Sequence, residues 1–205
     1  MKLYLIRHSI TYGNTLGRYI GTTDEPLCEK GIELLKQISY PAVERVYVSP
    51  LLRCRQTAEI LYPGMEQTVI AAFAECDFGR FENKNYRELD QDADYQRWID
   101  SNGTLPFPGG ESQKSFQIRC LEGMEQAVKE LLEASVQSAA LVVHGGTIMS
   151  ILSGLGVPRE PFYHWQVKNG RGYLAELDPK QWKSGQHELR ICEKLSCVTG
   201  RRELK

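Results

Sequence analysis

The sequence lacks a strong net charge and has no long apolar run. Its 205 residues carry 25 Lys and Arg against 26 Asp and Glu, a formal charge of -1. A near-neutral chain has no broad positive field, so we expect neither nucleic acid nor a membrane surface as a partner. The start, MKLYLIRHS, has too few apolar residues for a signal peptide. No stretch approaches the roughly 18 apolar residues that indicate a membrane span.

Paired cysteines are also missing. The six cysteines form no CxxC pair and no short metal-type spacing. A chain of this size can build its core without disulfides, so we expect reduced cysteines and a cytoplasmic location. The length fits one large domain or two small ones, and the simpler prediction is a single domain over residues 1–205. The sequence predicts no oligomeric state.

Short β-prone runs alternate with helical patterns along the chain. The predicted strands are Lys2 to Ile6, Arg45 to Val48, Ala139 to Val143, Gly172 to Leu177 and Glu188 to Cys192. The predicted helices are Glu29 to Ile38, one capped by Ser49 with Pro50 in first position, Ser112 to Glu133, and Thr147 to about Leu152. This alternation predicts an α/β fold with a largely parallel sheet and right-handed crossovers. Residues 75–110 lack a period and are predicted to form a substrate-covering insertion.

Charged or titratable residues lie just past the carboxyl ends of three of these strands. Arg7 and His8 follow the first strand, Arg53 follows the second, and His144 follows the run LVV. Ligands bind at the carboxyl ends of parallel strands, so these four side chains meet if the strands are neighbours. Arginine forks and helix N-termini suit a phosphoryl dianion, and a neutral histidine can accept a phosphoryl group covalently. The sequence therefore predicts a phosphate-ester site with His8 as the acceptor.

Each of these residues has a simpler interpretation when it is taken alone. A histidine after a strand is usually capped or solvated, and an arginine in a first helical turn is usually solvated. Gly145-Gly146 fits a tight turn equally well. A zinc site on His8 and His144 would face repulsion from the arginines and lacks a ligand cluster, so we expect no metal.

Four segments also resemble motifs of the histidine phosphatase superfamily, the phosphoglycerate mutase-like proteins. LIRHSITYGN resembles the RHG motif, SPLLRCRQTA the SPLxRxxQTA motif, FAECDFGRFEN the acidic motif and VVHGGTI the second histidine motif. They occur in the family's order and span residues 3 to 148. The resemblance implies a three-layer α/β/α sandwich and an enzyme that needs no metal and no cofactor.

The resemblance also implies a role for each matching residue. His8 would be the nucleophile and form a phosphohistidine, while Arg7, Arg53 and His144 would surround the transferring phosphoryl group. Glu75 would be the general acid and base, although by itself it reads as a surface carboxylate. Further substrate contacts implied by the matching segments are Asn14, Thr11, Arg18, Tyr19, Gly21, Thr22 and Gly145.

Several positions depart from the family pattern. Ser9 stands where the family usually has Gly, and Ile10 where it often has Glu. We expect Ser9 to tighten the pocket and to change the accepted substrate shape while activity survives. Glu82-Asn83 replaces a common Glu-Gly pair and Cys28 a hydroxyl residue, both at positions expected to be peripheral.

Two further segments, GRYIGTTDEPLCEKG and FPGGES, resemble the α-ribazole phosphatases of cobalamin biosynthesis. They favour a small-molecule phosphomonoesterase, and α-ribazole 5'-phosphate is the suggested substrate. The second segment is explained almost as well by a turn followed by a Ser112 helix cap. Three alternatives remain: a phosphoglycerate mutase, a phosphoprotein phosphatase and a non-catalytic phosphate-binding regulatory module.

Overall fold

Seven strands form one sheet in the structure, a computed structural model that describes residues 1–195. The strands are β1 Lys2–Arg7, β2 Arg45–Val48, β3 Gln67–Val69, β4 Ser138–Val143, β5 Gly156–Val157, β6 Gly172–Glu176 and β7 Leu189–Leu195. Their order across the sheet is β3-β2-β4-β1-β6-β7-β5. Only β6 runs against its neighbours β1 and β7, which confirms the prediction of a mostly parallel sheet. β3 and β5 were not predicted because runs of three and two residues are too short to show a period.

Eight α-helices accompany the sheet within residues 1–195. They are α1 Tyr12–Thr15, α2 Glu29–Lys36, α3 Leu52–Leu61, α4 Tyr86–Leu89, α5 Ala93–Asp100, α6 Gln113–Glu133, α7 Gly145–Leu155 and α8 Pro179–Lys183. Single 3-10 turns occupy Ala71–Phe73, Gly79–Phe81 and Phe162–Trp165. No helix in this part of the chain is both long and apolar enough to cross a membrane.

The sheet is buried on both faces because the inner positions of its central strands β1 and β4 are apolar. Along β1, Leu3 and Leu5 belong to one core cluster, while Tyr4 and Ile6 belong to another. Helices α6 and α7 contribute to the first cluster and α3 to the second. Side chains alternate between the faces of a strand, so an all-apolar strand needs a helix layer on each side. The α/β/α sandwich is therefore confirmed.

The segment 75–110 consists of short helices and loops joined by an aromatic cluster. Its members are Tyr19, Phe78, Phe81, Tyr95, Trp98 and Phe107, with neighbouring ring centroids 5.0 to 6.3 Å apart. Mostly edge-to-face contacts of this kind hold the segment together without a long helix or a strand. The segment's role in covering substrate stays a prediction.

The start of α3 differs from its prediction. The helix begins at Leu52 with Leu51 as N-cap, so Pro50 lies outside it. The Ser49 hydroxyl lies 2.6 Å from Nε2 of His144 and accepts from the Leu51 amide at 3.3 Å, while the helix itself starts two residues later than predicted. By contrast, Ser112 caps α6 as predicted and accepts a hydrogen bond from the Ser115 amide. Cys28, Cys54, Cys76, Cys120 and Cys192 are free thiols, and Cys197 lies outside the described residues.

Candidate active site

The carboxyl ends of β1, β4 and β2 lie side by side, as the convergence argument requires. The His8 amide donates to the Val143 carbonyl at 2.8 Å, and the Ser49 amide donates to Val142 at 3.1 Å. The His8 and His144 rings meet edge to face with their centroids 5.1 Å apart. Pairing of these three strands therefore joins residues that are far apart in the sequence.

The His8 ring is held in one tautomer. Its Nδ1 lies 2.6 Å from the carbonyl oxygen of Ser9, and a carbonyl can only accept. Nδ1 therefore carries the proton, and Nε2 keeps its lone pair. Burial lowers the pKa of His8 well below its usual range, and the positive charges of Arg53 and Arg7 lower it further. The ring is accordingly a neutral nucleophile at neutral pH.

Ser9 lies on the far side of this loop from the cavity. It is fully buried, its hydroxyl donates to the Gly31 carbonyl at 2.7 Å, and its amide donates to the Thr57 hydroxyl at 3.0 Å. A Cβ on Gly31 would lie 2.1 Å from the Ile10 carbonyl, so this glycine lets the loop approach α2 closely. The expectation that Ser9 narrows the pocket is wrong, because its side chain fastens the loop to α2.

His144 is fully buried between β2 and α3. The Ser49 hydroxyl holds its Nε2, and the Cys54 sulfur lies 3.5 Å from the same nitrogen. Burial lowers the pKa of His144 well below its usual range, with Arg53 and His8 adding to the effect. Both site histidines are thus uncharged in the free protein.

Two arginines supply the positive charge of the site. Arg7 donates from Nη1 to the Val167 carbonyl at 2.7 Å and lines the cavity. Arg53 is fully buried, and its guanidinium donates to the carbonyls of Thr23, Ile20 and Gly21 at 2.8 to 3.2 Å. Backbone carbonyls compensate for its burial, which contradicts the solvated interpretation of an arginine in a first turn.

Glu82-Asn83 is part of this support and is not peripheral. The Glu82 carboxylate accepts from the amides of Gly21 and Thr23 at 2.9 Å, so it fixes the loop whose carbonyls hold Arg53. Asn83 has φ 58°, a left-handed conformation that glycine and asparagine tolerate best. The replacement of the family's glycine by asparagine is therefore compatible with the same turn.

Glu75 faces the histidines from the other side of the cavity. Its carboxylate accepts from the Cys76 amide at 3.0 Å and from the Gly146 amide at 3.3 Å. A Cβ on Gly146 would lie 2.3 Å from Glu75 Oε1, so the second glycine of the pair makes room for the carboxyl group. Burial raises the pKa of Glu75, and these hydrogen bonds and the arginines oppose the rise only in part. The arrangement can hold a proton for transfer.

Sequence reasoning missed the pair that fixes the Glu75 segment. Arg119 on α6 forms a two-point ion pair with Glu111, at 3.1 and 2.8 Å. The same guanidinium donates to the carbonyls of Ala72 and Ala74 at 2.8 and 2.9 Å, and to that of Glu75 at 3.4 Å. The only available signal was two opposite charges eight residues apart, and such pairs are common on helix surfaces.

Asn14 and Thr11 form the cap of α1. The Thr11 hydroxyl accepts from the Asn14 amide, and Asn14 Oδ1 accepts from the Thr11 amide, both at 3.3 Å. Thr11 is fully buried, so its role in the structure is to cap the helix. Asn14 lines the cavity and can present its side-chain NH2 group there.

A cavity of about 280 Å³ opens between these groups and the aromatic cluster. Of the predicted site residues, Arg7, His8, Asn14, Arg18, Tyr19, Glu75 and Gly145 line it. Arg53 and His144 are buried behind its wall, while Thr11, Gly21 and Thr22 are not among its lining residues. Phe78, Trp98, Phe107, Phe116, Phe162 and Tyr163 add the aromatic part of the lining. The cavity therefore has a cationic end and an aromatic end.

Arg18 is held at the outer wall of the cavity. Its guanidinium donates to Asn83 at 3.1 Å and pairs with Glu88 at 3.0 Å. Tyr19 lies beside it, with its hydroxyl 3.3 Å from that of Tyr95. Within residues 1–195, no three His, Cys, Asp or Glu side chains lie together as a metal would need.

Known proteins resemble this chain over most of its length. The profile of the histidine phosphatase superfamily (branch 1) matches residues 3–188. An adenosylcobalamin/alpha-ribazole phosphatase from Salmonella typhimurium is 30% identical over 181 residues, which cover 83% of this chain and 87% of the relative. Both comparisons extend over most of the chain.

Solved structures share the fold. The alpha-ribazole phosphatase from Shigella flexneri superposes with a TM-score of 0.76 at 24% identity, over 98% of this chain and 97% of that one. A phosphoglycerate mutase from Thermus thermophilus gives a TM-score of 0.69 at 27% identity, over 96% and 99%. One architecture thus carries both phosphatase and mutase names among these similar proteins.

Proposed function

The chain belongs to the histidine phosphatase superfamily, and from that premise we propose that it is a cytoplasmic, metal-independent phosphomonoesterase that works through a phosphohistidine on His8. The observation that carries the proposal is the state of the His8 ring. Its Nδ1 proton is held by Ser9, its Nε2 is free, and two arginines lie close by. A neutral imidazole in a cationic pocket can attack a phosphorus atom whose oxygens contact Arg7 and whose negative charge the buried Arg53 offsets.

In the first step, Nε2 of His8 forms a bond to phosphorus while the bond from phosphorus to the leaving oxygen breaks. The leaving oxygen needs a proton, and Glu75 supplies it; burial raises the pKa of this carboxyl group, which favours its protonated form. Arg7 and Arg53 balance the charge on the phosphoryl oxygens during the transfer. The neutral His144 can donate a hydrogen bond to the same oxygens after a rotation that releases Ser49.

In the second step, a water molecule replaces the leaving group. Glu75, now ionised, removes a proton from the water as its oxygen bonds to phosphorus, and the bond to Nε2 of His8 breaks. The products are inorganic phosphate, neutral His8 and protonated Glu75, so the cycle closes with no metal or cofactor.

The aromatic end of the cavity favours a substrate whose leaving group carries a planar ring. The Trp98 ring stacks with Tyr95 and with Phe107, whereas Tyr163 lines the cavity, is 54% exposed and can stack on a ligand. α-Ribazole 5'-phosphate, the substrate class in the names of the Salmonella and Shigella relatives, carries such a ring on its sugar. We propose it as the first substrate to assay.

A mutase is the second candidate because the Thermus relative bears that name. A mutase returns the phosphoryl group to a second hydroxyl of the bound molecule, whereas a phosphatase passes it to water. Product analysis with 3-phosphoglycerate separates the two. Inorganic phosphate as the main product supports hydrolysis, and phosphoglycerate isomers without phosphate release would support the mutase.

The test of the phosphohistidine uses His8→Asn, with His164→Asn as a matched control on an exposed histidine. Rapid acid-free quenching and mass spectrometry should find an acid-labile phosphate on His8 in the wild type and in the control. His8→Asn should form no adduct and lose at least ~10⁴-fold in kcat. Normal turnover by His8→Asn would overturn the mechanism. Treatment with a chelator should leave the wild-type rate unchanged.

The substrate assignment has its own test. Tyr163→Ala should lower kcat/KM for α-ribazole 5'-phosphate by about 5- to 150-fold, since stacking on an aromatic side chain is worth ~1–3 kcal/mol. The same variant should leave glycerol 3-phosphate hydrolysis unchanged, because that substrate has no ring. Tyr86→Ala is the control, since Tyr86 is similarly exposed but does not line the cavity. Equal effects on both substrates would contradict a ring-binding role.

A further inference from the structure

Asn169 lies in the loop before β6, outside every predicted motif, and contacts the loop that carries His8. Its Nδ2 lies 3.2 Å from the His8 carbonyl, 3.3 Å from the Ser9 carbonyl and 3.0 Å from Asn14 Oδ1. It is not among the residues that line the cavity. Among residues 1–195, these three partners are the route by which the Asn169 side chain can influence the chemistry.

The orientation of both amide groups follows from their partners. Two of the three oxygens near Asn169 are backbone carbonyls, which only accept, so the NH2 end of Asn169 must face them. Asn14 accepts from the Thr11 amide through Oδ1, so it must present oxygen to Asn169 and keep its own NH2 end for the cavity. Asn169 acts together with the Thr11 amide to set which end of Asn14 faces the cavity.

The Ser9 carbonyl links Asn169 to the nucleophile. The same oxygen accepts from Nδ1 of His8 at 2.6 Å and from Asn169 at 3.3 Å. The amide holds this oxygen in place, and the oxygen holds the proton of His8 on Nδ1. Without that contact, the peptide can turn, and the ring can lose the orientation that aims Nε2 at phosphorus.

We propose that Asn169 is a positioning residue that fixes both the tautomer of His8 and the amide orientation of Asn14. The predicted effect on the phosphorylation rate rests on the proposed function. The predicted effect on the His8 tautomer does not. The loop has a separate anchor, because the Gly170 amide donates to the Arg7 carbonyl at 3.0 Å. Removal of the Asn169 side chain should therefore leave the loop docked.

The first measurement is the His8 tautomer in the unliganded protein, read from ¹⁵N shifts of labelled histidine. The variants are Asn169→Ala and Asn169→Asp, the second of which keeps the shape but faces the three oxygens with a carboxylate. The exposed neighbour Lys168→Ala is the matched control. We expect one Nδ1-protonated form in the wild type and control, and a mixture in both Asn169 variants. An unchanged tautomer in the variants would overturn the proposal.

The second measurement is the rate of phosphohistidine formation in rapid quench. Both variants should lose about 10- to 100-fold while their melting temperatures stay near that of the control. Asn169→Ala should also raise KM, because Asn14 would no longer be held with its NH2 end toward the substrate. In an Asn14→Ala background, this effect on KM should disappear and the effect on the phosphorylation rate should remain. A phosphorylation rate within about threefold of the wild type would overturn the kinetic part. No adduct in the wild type would instead overturn the phosphohistidine proposal, and the tautomer measurement would still decide the role of Asn169.

Discussion

Replacement of Glu75 by glutamine isolates proton transfer from binding. Glutamine keeps the size of the side chain but cannot give or take the proton that the leaving oxygen and the water require. Its NH2 end would also face one of the two amides, of Cys76 or Gly146, that donate to the carboxylate. We expect the lost hydrogen bond to cost about 1–3 kcal/mol of stability, which leaves the protein folded.

The catalytic loss should depend on the leaving group. General acid catalysis contributes about 10²- to 10⁴-fold, or roughly 2.7–5.4 kcal/mol, when the leaving oxygen is poor. An alkyl phosphate such as α-ribazole 5'-phosphate should show that full loss in kcat. p-Nitrophenyl phosphate releases an anion that is stable without a proton. With this substrate, Glu75→Gln should therefore lower the rate of the phosphorylation step by less than about tenfold.

The assay is the ratio of these two losses, measured across pH in single turnover. Because Glu75 must be protonated in the first step, the wild-type rate with the alkyl substrate should fall as pH rises through its raised pKa. That fall should be absent in Glu75→Gln. Glu122→Gln, on an exposed carboxylate of α6, is the control. Equal losses with both substrates, or an unchanged pH profile, would refute the role of Glu75 as proton donor.

Two stability predictions follow from other residues of the site. Because the pKa of His144 is lowered in the native protein, its ring takes up a proton below about pH 6.5 in the unfolded chain but stays neutral in the folded one. This difference lowers the free energy of unfolding by ~1.4 kcal/mol between pH 7.5 and pH 5.5. His144→Asn should lose ~1.4 kcal/mol less than the wild type over that interval in urea titrations, and equal losses would contradict the buried neutral state. Asn83 has a left-handed backbone conformation, with φ 58°. The Asn83→Ala variant should be about 1 kcal/mol less stable than Asn83→Gly, because both variants lose the contact with Arg18 but only alanine disfavours this conformation. Equal thermal stability of the two variants would argue against that turn.

Much of the architecture was predictable because it depends on local patterns. Apolar strand runs and the periodic α6 segment predicted the layers, and basic residues directly after strands predicted one functional edge. The start of α3 was not predictable, because the Ser49 hydroxyl contacts a histidine 95 positions away in the sequence as well as the local Leu51 amide. Helix propensity near Ser49 carries no information about such a distant partner.

The sequence by itself determined which residue types the site contains and the strands that carry them, because strand ends and phosphate-binding side chains leave local signals. Only the tertiary structure decided how these groups are held. The Ser9 carbonyl selects the His8 tautomer, Glu82 fixes the loop that holds Arg53, and Asn169 orients Asn14. These contacts join segments up to 155 residues apart, so no local pattern of charge or hydrophobicity could reveal them.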